Sequence, residues 1–470
     1  MLENSGYRPI LLDANAARRR LDMEALVAEL DRLRPAVVGL TLVTPLVRDA
    51  YRLAGRLRER GMKLIAGGPH ATLLPEEPLE HGFDAVVAGE GEPTVAEAVA
   101  AVLGRINLDS VAGLVWRDAA GRAHRNPPRP PVADLDTLPR PARHLVPATD
   151  FGPPDDPALH ADLFTSRGCP ARCSYCAGGL FGKRFRFRSA DSVVDELIDV
   201  HRRYGTRHFH FVDDAMSMDR ERMRRICRRL MDERLGVTWN MMTRVDSVDE
   251  ELLDLSARAG CVQIDYGVES GCAETLRRVH KPHSVEMVRR IIPLTRRHGI
   301  RPVVFFILGF PWENTSALDE TLRLMRELAG HVEFHPAIAS ILIPFPGTEI
   351  YEQYHQEHGF ERWWLGDDRR YDAPCDGVHA FYQRKLYRLG SVLDADFFHY
   401  PPRVRSKIHD LFRFMYAQNL RREPWLKRNL ILLAMDASRA LDALAPPLER
   451  LLVGGSLHVV ERLRAGRQAA

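Results

Sequence analysis

The stretch Arg167-Gly168-Cys169-Pro170-Ala171-Arg172-Cys173-Ser174-Tyr175-Cys176 decides how this chain is read. It places three cysteines in the spacing C-x3-C-x2-C, directly after a segment at 162–165 that predicts a β-strand. Thiolates are soft ligands, suited to zinc or to iron–sulfur clusters. A structural zinc takes four protein ligands. The nearest downstream histidines, His201, His208 and His210, lie beyond a predicted helix. Three thiolates in one loop with no fourth ligand close by suit a [4Fe–4S] cluster that keeps one iron open. A zinc knuckle and a chance spacing are the alternatives.

The rest of the composition narrows the context. The 470 residues are 45% hydrophobic and 27% charged, an average soluble composition that excludes whole-chain disorder and small disulfide scaffolds. Lys+Arg is 66 against Asp+Glu 63, which does not suggest a dedicated nucleic-acid binder. The seven cysteines are odd in number and none precedes Cys169, so a disulfide framework is not expected. Residues 1–7 carry neither a basic start nor an apolar run, and no stretch approaches the roughly 18 apolar residues of a membrane helix. The best late segment, 429–435, is short and flanked by Lys427, Arg428 and Asp436. A cytoplasmic protein with no transmembrane segment is expected.

Working outward in both directions, strands and helices alternate. Strands are predicted at 9–12, 36–42, 63–66 and 85–88, with helices at 23–33, 48–60 and 94–103. Short apolar strands separated by helices indicate a parallel, doubly wound sheet that binds ligands at its strand carboxyl ends. A hairpin at 106–125 and a proline-rich linker, 126–147, follow. Beyond the linker come strands at 162–165, 208–212, 238–242, 263–268, 301–308 and 337–343, with helices at 193–203, 220–235, 250–259, 284–298 and 315–328. Six strands in series with a helix between each pair imply a partial (β/α)6 barrel with its chemistry at the strand carboxyl ends. The domains are therefore drawn at 1–105, 106–157, 158–355 and 356–470, the last mainly helical.

With Tyr175 as the aromatic of C-x3-C-x-aromatic-C, the cysteine motif resembles the signature of radical S-adenosylmethionine (SAM) enzymes. The resemblance implies that Cys169, Cys173 and Cys176 ligate a [4Fe–4S] cluster. The open iron then chelates SAM, and one electron releases a 5′-deoxyadenosyl radical. Phe211-Val212-Asp213-Asp214 stands where the family holds the SAM ammonium, which implicates Asp213 or Asp214, although a helix cap accounts for either equally simply. Gly267-Val268-Glu269-Ser270-Gly271 resembles the fourth-strand segment, with Glu269 and Ser270 implied as SAM contacts. The segment 306–311, which includes Gly309, resembles the one that packs the adenine. Arg244 resembles an arginine used on the SAM carboxylate; an ion pair with Asp246 is the alternative. Residues 344–348 resemble the close of the sixth strand.

The N-terminal region resembles the Rossmann-like cobalamin-binding domain that precedes the barrel in one large subclass. The likeness rests on Asp13-Ala14-Asn15, Val38-Gly39-Leu40-Thr41, 67–72 and Gly89-Glu90-Gly91-Glu92. It implies that loops bearing Thr41, Thr44, Gly67, Gly68, His70, Gly89 and Glu90 cradle cobalamin, since glycine lets backbone approach a bulky ligand. No Asp-x-His-x-x-Gly motif occurs, so a lower-axial histidine is not predicted, and His70 is a poor substitute. The subclass opens with a strand and helix before its Asp-Ala-Asn strand, whereas here residues 2–6 match only the end of that helix. This implies a sheet trimmed at its first strand, or a first strand supplied ahead of residue 1.

The implied function is cobalamin-dependent methylation of an unactivated carbon in a small-molecule or lipid substrate, with flavodoxin or ferredoxin as electron donor. Radical cyclisation or rearrangement and a non-catalytic cobalamin sensor are the alternatives. An RNA methylthiotransferase is disfavoured, because that family carries three more cysteines N-terminal to the barrel and here there are none. Cys227, Cys261 and Cys272 read as small buried residues. Cys375, Tyr371, Tyr382, Trp363 and Trp364 are candidates for lining a substrate pocket or for core. Arg421, Arg422, Lys427 and Arg428 read as a solvated basic face.

Overall fold

The computed structural model describes residues 1–14, 21–146, 161–178, 180–334, 341–366 and 396–422, with Trp425 and Asn429. Asn15, Tyr371, Cys375, Tyr382, Lys427, Arg428 and most of the strand expected at 337–343 lie outside these residues. The chain divides into two compact units. Residues 1–172, 176–264 and 345–352 form one; 173–175, 265–344 and the described residues from 353 onward form the other.

The first unit begins with the helix α1 (Met23–Leu33), started by the Asp22 carboxylate accepting the Ala25 N–H at 2.8 Å. Then follow β1 (Val38–Thr41), α2 (Val47–Arg58), β2 (Leu64–Gly67), α3 (Pro69–Leu73), α4 (Glu77–Glu80), β3 (Ala85–Val87), α5 (Val95–Val102), β4 (Leu114–Arg117) and β5 (Ala123–Arg125). The sheet order is β1-β2-β3-β4-β5, parallel from β1 to β3 and antiparallel beyond. Leu64, Ile65, Ala66, Ala85, Val86 and Val87 are all buried, as strands covered on both faces must be. The hairpin expected at 106–125 is β4–β5. It extends this sheet because Leu114 and Val115 bury against β3. The strand expected at 9–12 does not form. Among the described residues it has no neighbouring strand, Ile10 is 63% exposed, and an unpaired strand has nowhere to place its amides. The order reversal of a doubly wound sheet is accordingly not found among the described strands.

The later elements are β6 (Ala161–Leu163), β7 (Ser166–Arg167), β8 (Arg186–Phe187), α6 (Ala190–Tyr204), β9 (His208–Phe211), α7 (Arg220–Glu233), β10 (Thr238–Thr243), α8 (Glu250–Arg258), β11 (Cys261–Glu269), α9 (Ala273–Arg278), α10 (Val285–Arg297), β12 (Arg301–Phe306), α11 (Thr315–Leu328), β13 (Glu333–Phe334), α12 (Glu349–Tyr354) and α13 (Pro402–Asn419). The second sheet runs β6-β9-β10-β11-β12-β13, which is chain order with at least one helix between successive strands, as a partial barrel requires. Phe209, Phe211, Trp239 and Met241 alternate with half-buried or exposed neighbours, so one sheet face carries the aromatic core. Trp239 is pinned there by an Nε1–H donated to the Ala259 carbonyl at 2.9 Å. Side-chain caps start α6 through Ser189, α7 through Asp219, α8 through Asp249, α10 through Ser284 and α11 through Asn314. β13 is Glu333–Phe334, paired with β12, and Ile341 makes only a bridge to Leu308. In the second unit α13 packs on α11 and β13. Asn419 exchanges hydrogen bonds with both backbone groups of Phe334, and Lys407 pairs with Asp319 at 2.7 Å. Trp363 and Trp364 are core, the former donating to the Pro344 carbonyl at 2.8 Å.

Candidate active site

The cysteine loop, 168–185, connects β7 to β8, two short antiparallel strands in which Arg167 stands opposite Arg186. Its first residue, Gly168, has φ +84°, and a side chain there would run into the carbonyl of Arg184 and come within 2.9 Å of that of Gly182. Only glycine closes the neck of this loop. Cys169 and Cys173 are partly exposed and Cys176 is exposed; all three are free thiols. The Gly178 N–H donates to the Cys176 sulfur at 3.2 Å. Arg244 is bonded to Asp246 (Nε–Oδ1 2.8 Å), with Cys169 near enough for its charge to bear on the guanidinium. Of the two environments expected for Arg244, the ion pair with Asp246 is the one observed. Among the described residues, no three His, Cys, Asp or Glu side chains are gathered closely enough to hold a metal ion. The donor set is what fits an iron–sulfur cluster: three accessible cysteines outside any disulfide on one glycine-necked loop, with the Gly178 N–H donated to one of the sulfurs.

Asp213 and Asp214 separate in role. Asp213 is buried and accepts N–H groups of Thr165 and Ser166, each at 2.7 Å, and the Thr165 hydroxyl. Burial pushes its carboxyl up, against these donors and the charge of Arg222. Arg222 is itself buried, its pKa lowered to about 10, and donates to the carbonyls of Thr165 and Arg188. Asp213 thus ties the turn leading into the cysteine hairpin, and its carboxylate is taken up by those bonds rather than open to an ammonium group. Asp214 is exposed beside it.

In the second unit, Glu269 has a left-handed φ of +69° and a buried carboxylate. It accepts from Lys281 Nζ at 2.7 Å and from the Tyr175 hydroxyl at 2.8 Å, while Lys281 also reaches that hydroxyl at 3.1 Å. A side chain on Gly267 would strike both Glu269 and Lys281. Ser270 is fully buried, 3.1 Å from the Thr321 hydroxyl and donating toward Glu313. The side chains expected to touch SAM are therefore committed to an internal network, because buried polar groups must be satisfied locally. Gly309, at φ +83°, donates its N–H to Glu313 at 3.0 Å, and its carbonyl accepts the Tyr400 hydroxyl. Glu313 also takes the Phe310 N–H and the Thr275 hydroxyl, and burial pushes its pKa up to about 7. Sequence reading missed Glu313 and Tyr400. The acid four residues after Gly309 was the only signal for the first, and nothing local marks the second.

The loops expected to cradle cobalamin do stand at the carboxyl ends of β1, β2 and β3. A Cβ added to Gly67, Gly89 or Gly91 would meet nothing within 4 Å, so their backbone is open to a bulky ligand. Gly68, at φ +94°, instead lets the chain pass Thr41 and Leu42, whose atoms a Cβ would approach at 2.9–3.0 Å. His70 is fully buried, with Nδ1 3.1 Å from the Thr44 hydroxyl and Nε2 2.9 Å from Glu77, which also accepts from Tyr51. Both ring nitrogens of His70 are thus taken by side chains, one of them the Thr44 hydroxyl, and these contacts tie the β2–α3 turn to β1. The Glu90 carboxylate is buried against Arg186 and Arg167.

Comparison with known proteins agrees with this layout. Residues 163–325 match the family described as the Radical SAM superfamily, and residues 1–99 match the B12 binding domain. An uncharacterised methyltransferase of Pyrococcus horikoshii is 30% identical over 337 residues, 70% of this chain and 71% of that protein. The anaerobic magnesium-protoporphyrin IX monomethyl ester cyclase of Rubrivivax gelatinosus is 28% identical over 363 residues, 75% of this chain and 64% of its own length. Among solved structures, the radical SAM methyltransferase TsrM from Kitasatospora setae, with cobalamin and a [4Fe–4S] cluster bound, superposes with TM-score 0.64 at 18% identity, over 88% of this chain and 84% of that one. The fold and the cysteine loop define a radical SAM enzyme. The chain belongs to the branch of that superfamily that carries a B12-binding domain, and its cofactors are SAM, a [4Fe–4S] cluster and cobalamin.

Proposed function

We propose that this protein methylates an unactivated carbon of a small-molecule or lipid biosynthetic intermediate. The observation that carries the reading is the glycine-necked loop with three cysteines outside any disulfide, in a chain whose B12-binding domain leaves glycine backbone open at two strand ends. When bound, the cluster supplies the electron that cleaves SAM, and cobalamin carries the methyl group. Cys169, Cys173 and Cys176 would hold the iron. Arg244 balances negative charge at Cys169. Asp214, the exposed acid, is the one suited to the SAM ammonium, and the Gly309–Phe310 backbone, fixed by Glu313, is suited to the adenine. The backbones of Gly67 and Gly89 and the end of β1 at Thr41 would approach the corrin. Six free thiols among the described residues suit a reducing cytoplasm, where flavodoxin or ferredoxin supplies the electron.

The Rubrivivax relative, named as a cyclase, favours a second reading in which carbon–carbon ring closure replaces methyl transfer. Anaerobic reconstitution with cobalamin and methyl-labelled SAM separates the two once candidate substrates are supplied. Label in product supports methylation, and 5′-deoxyadenosine without label transfer supports cyclisation. Cys173→Ala is expected to abolish reductive SAM cleavage, and undiminished cleavage would overturn both.

A further inference from the structure

Glu90 was expected at the cofactor, yet it is one of the most thoroughly held charges in the first unit. Its side chain is 5% exposed and lies 2.6 Å from Arg186, itself 5% exposed, and 3.5 Å from Arg167. Its second oxygen accepts the Val132 N–H at 2.8 Å. Arg186 continues the network, donating to the carbonyls of Val132 at 2.6 Å and Phe181 at 3.0 Å. Arg167 pairs with Glu92 and lies over the Phe181 ring at 5.4 Å. Arg167 and Arg186 are register partners on β7 and β8, the two strands from which the cysteine loop springs. One carboxylate from the Gly89–Glu92 loop of the B12-binding domain therefore grips both sides of the neck of that loop, two residues before Cys169.

We propose that Glu90 is a positioning residue that couples cobalamin occupancy to the closure of the cysteine loop. This rests on the reading that the Gly89–Glu92 backbone meets cobalamin. A ligand that orders this backbone orders the carboxylate between Gly89 and Gly91, and so tightens the hold on Arg167 and Arg186. Linkage is reciprocal: if cobalamin favours the closed neck, a cluster-loaded neck favours cobalamin. Glu92 is the weaker arm, since it is more exposed and, among the described residues, pairs with Arg167 alone.

The test uses the full chain, anaerobically loaded with iron and sulfide, with and without hydroxocobalamin. Cobalamin uptake is read by absorbance, and the rate of iron release to a chelator reports how open the loop is. In the wild type, cobalamin is expected to slow iron release by about fivefold or more, the scale of a typical coupling between sites. In Glu90→Gln, which keeps shape and loses charge, the ratio is expected to fall close to one while cobalamin is still taken up. Glu90→Asp should recover part of it, which a purely steric role would not produce. Should Glu90→Gln fail to fold, Arg186→Lys decides: it keeps the charge but not the fork to Val132 and Phe181, and a reduced ratio is expected. A wild-type ratio in either folded variant, or equal release rates in the wild type with and without bound cobalamin, overturns the coupling alone. No cobalamin uptake by the wild type overturns the cofactor reading and the coupling with it.

Discussion

Glu313 is the residue whose chemistry is most sensitive to its surroundings. Burial raises its pKa from 4.5 to about 7 although four donors face it. The folded chain thus keeps a proton that the unfolded chain releases above 4.5, so its contribution is full at acid pH and stability falls as pH rises from about 4.5 to about 7. The loss should approach roughly 3 kcal/mol at pH 8. Glu313→Gln mimics the protonated acid. It is expected to melt with the wild type at pH 5 and above it at pH 8, and a constant difference between the two pH values would refute the assignment. The Lys281–Glu269 pair makes the opposite kind of prediction. Both side chains are 7% exposed, and Lys281→Met strands a buried carboxylate at a cost of about 3–5 kcal/mol. Tyr175→Phe removes a hydroxyl that meets both charged groups and should cost less, about 1.5–3 kcal/mol. Thermal melting of the two variants checks the order, and equal melting temperatures would show that the pair is dispensable. The sequence showed these residue types near the right motifs. It did not show that Asp213, Glu269 and Ser270 are each held by an internal network of their own, because the partners of a buried polar group come from distant segments.

At the scale of elements, the cysteine loop was legible because its demands are local. A strand end, a glycine and a fixed cysteine spacing are all read within ten residues. Gly168→Ala tests that locality. It places a Cβ at φ +84° against the Arg184 carbonyl, which costs of order 1–3 kcal/mol of backbone strain. Reconstituted iron per chain should fall well below the wild-type value, and the apo-protein should melt lower by an amount that matches this strain. Retention of wild-type iron would show that the neck is not needed to shape the loop. Strands buried on both faces, and helices with a capping residue at the start, were likewise legible. The strand misread at 9–12 has a physical cause. Those residues are apolar enough to pair, but a strand exists only where another strand accepts its amides, and periodicity says nothing about that neighbour.

For the whole molecule, cobalamin should act as a folding ligand of the B12-binding domain. Hydroxocobalamin at a hundred times its Kd is expected to stabilise the apo-protein by about 2.7 kcal/mol. A melting temperature independent of cobalamin concentration would count against binding to the folded chain. What the sequence by itself determined was the chemistry on offer: three thiolates at family spacing, a glycine-rich set of strand ends, and the order of domains. These are properties of contiguous residues, fixed by backbone geometry and ligand softness. What only the tertiary structure decided was which charged groups are free to do that chemistry. Glu90, His70, Asp213 and Glu269 are each spent on partners 7 to 96 positions away. Burial forces every polar group to find such a partner, and the identity of the partner is settled only when the chain has closed around it.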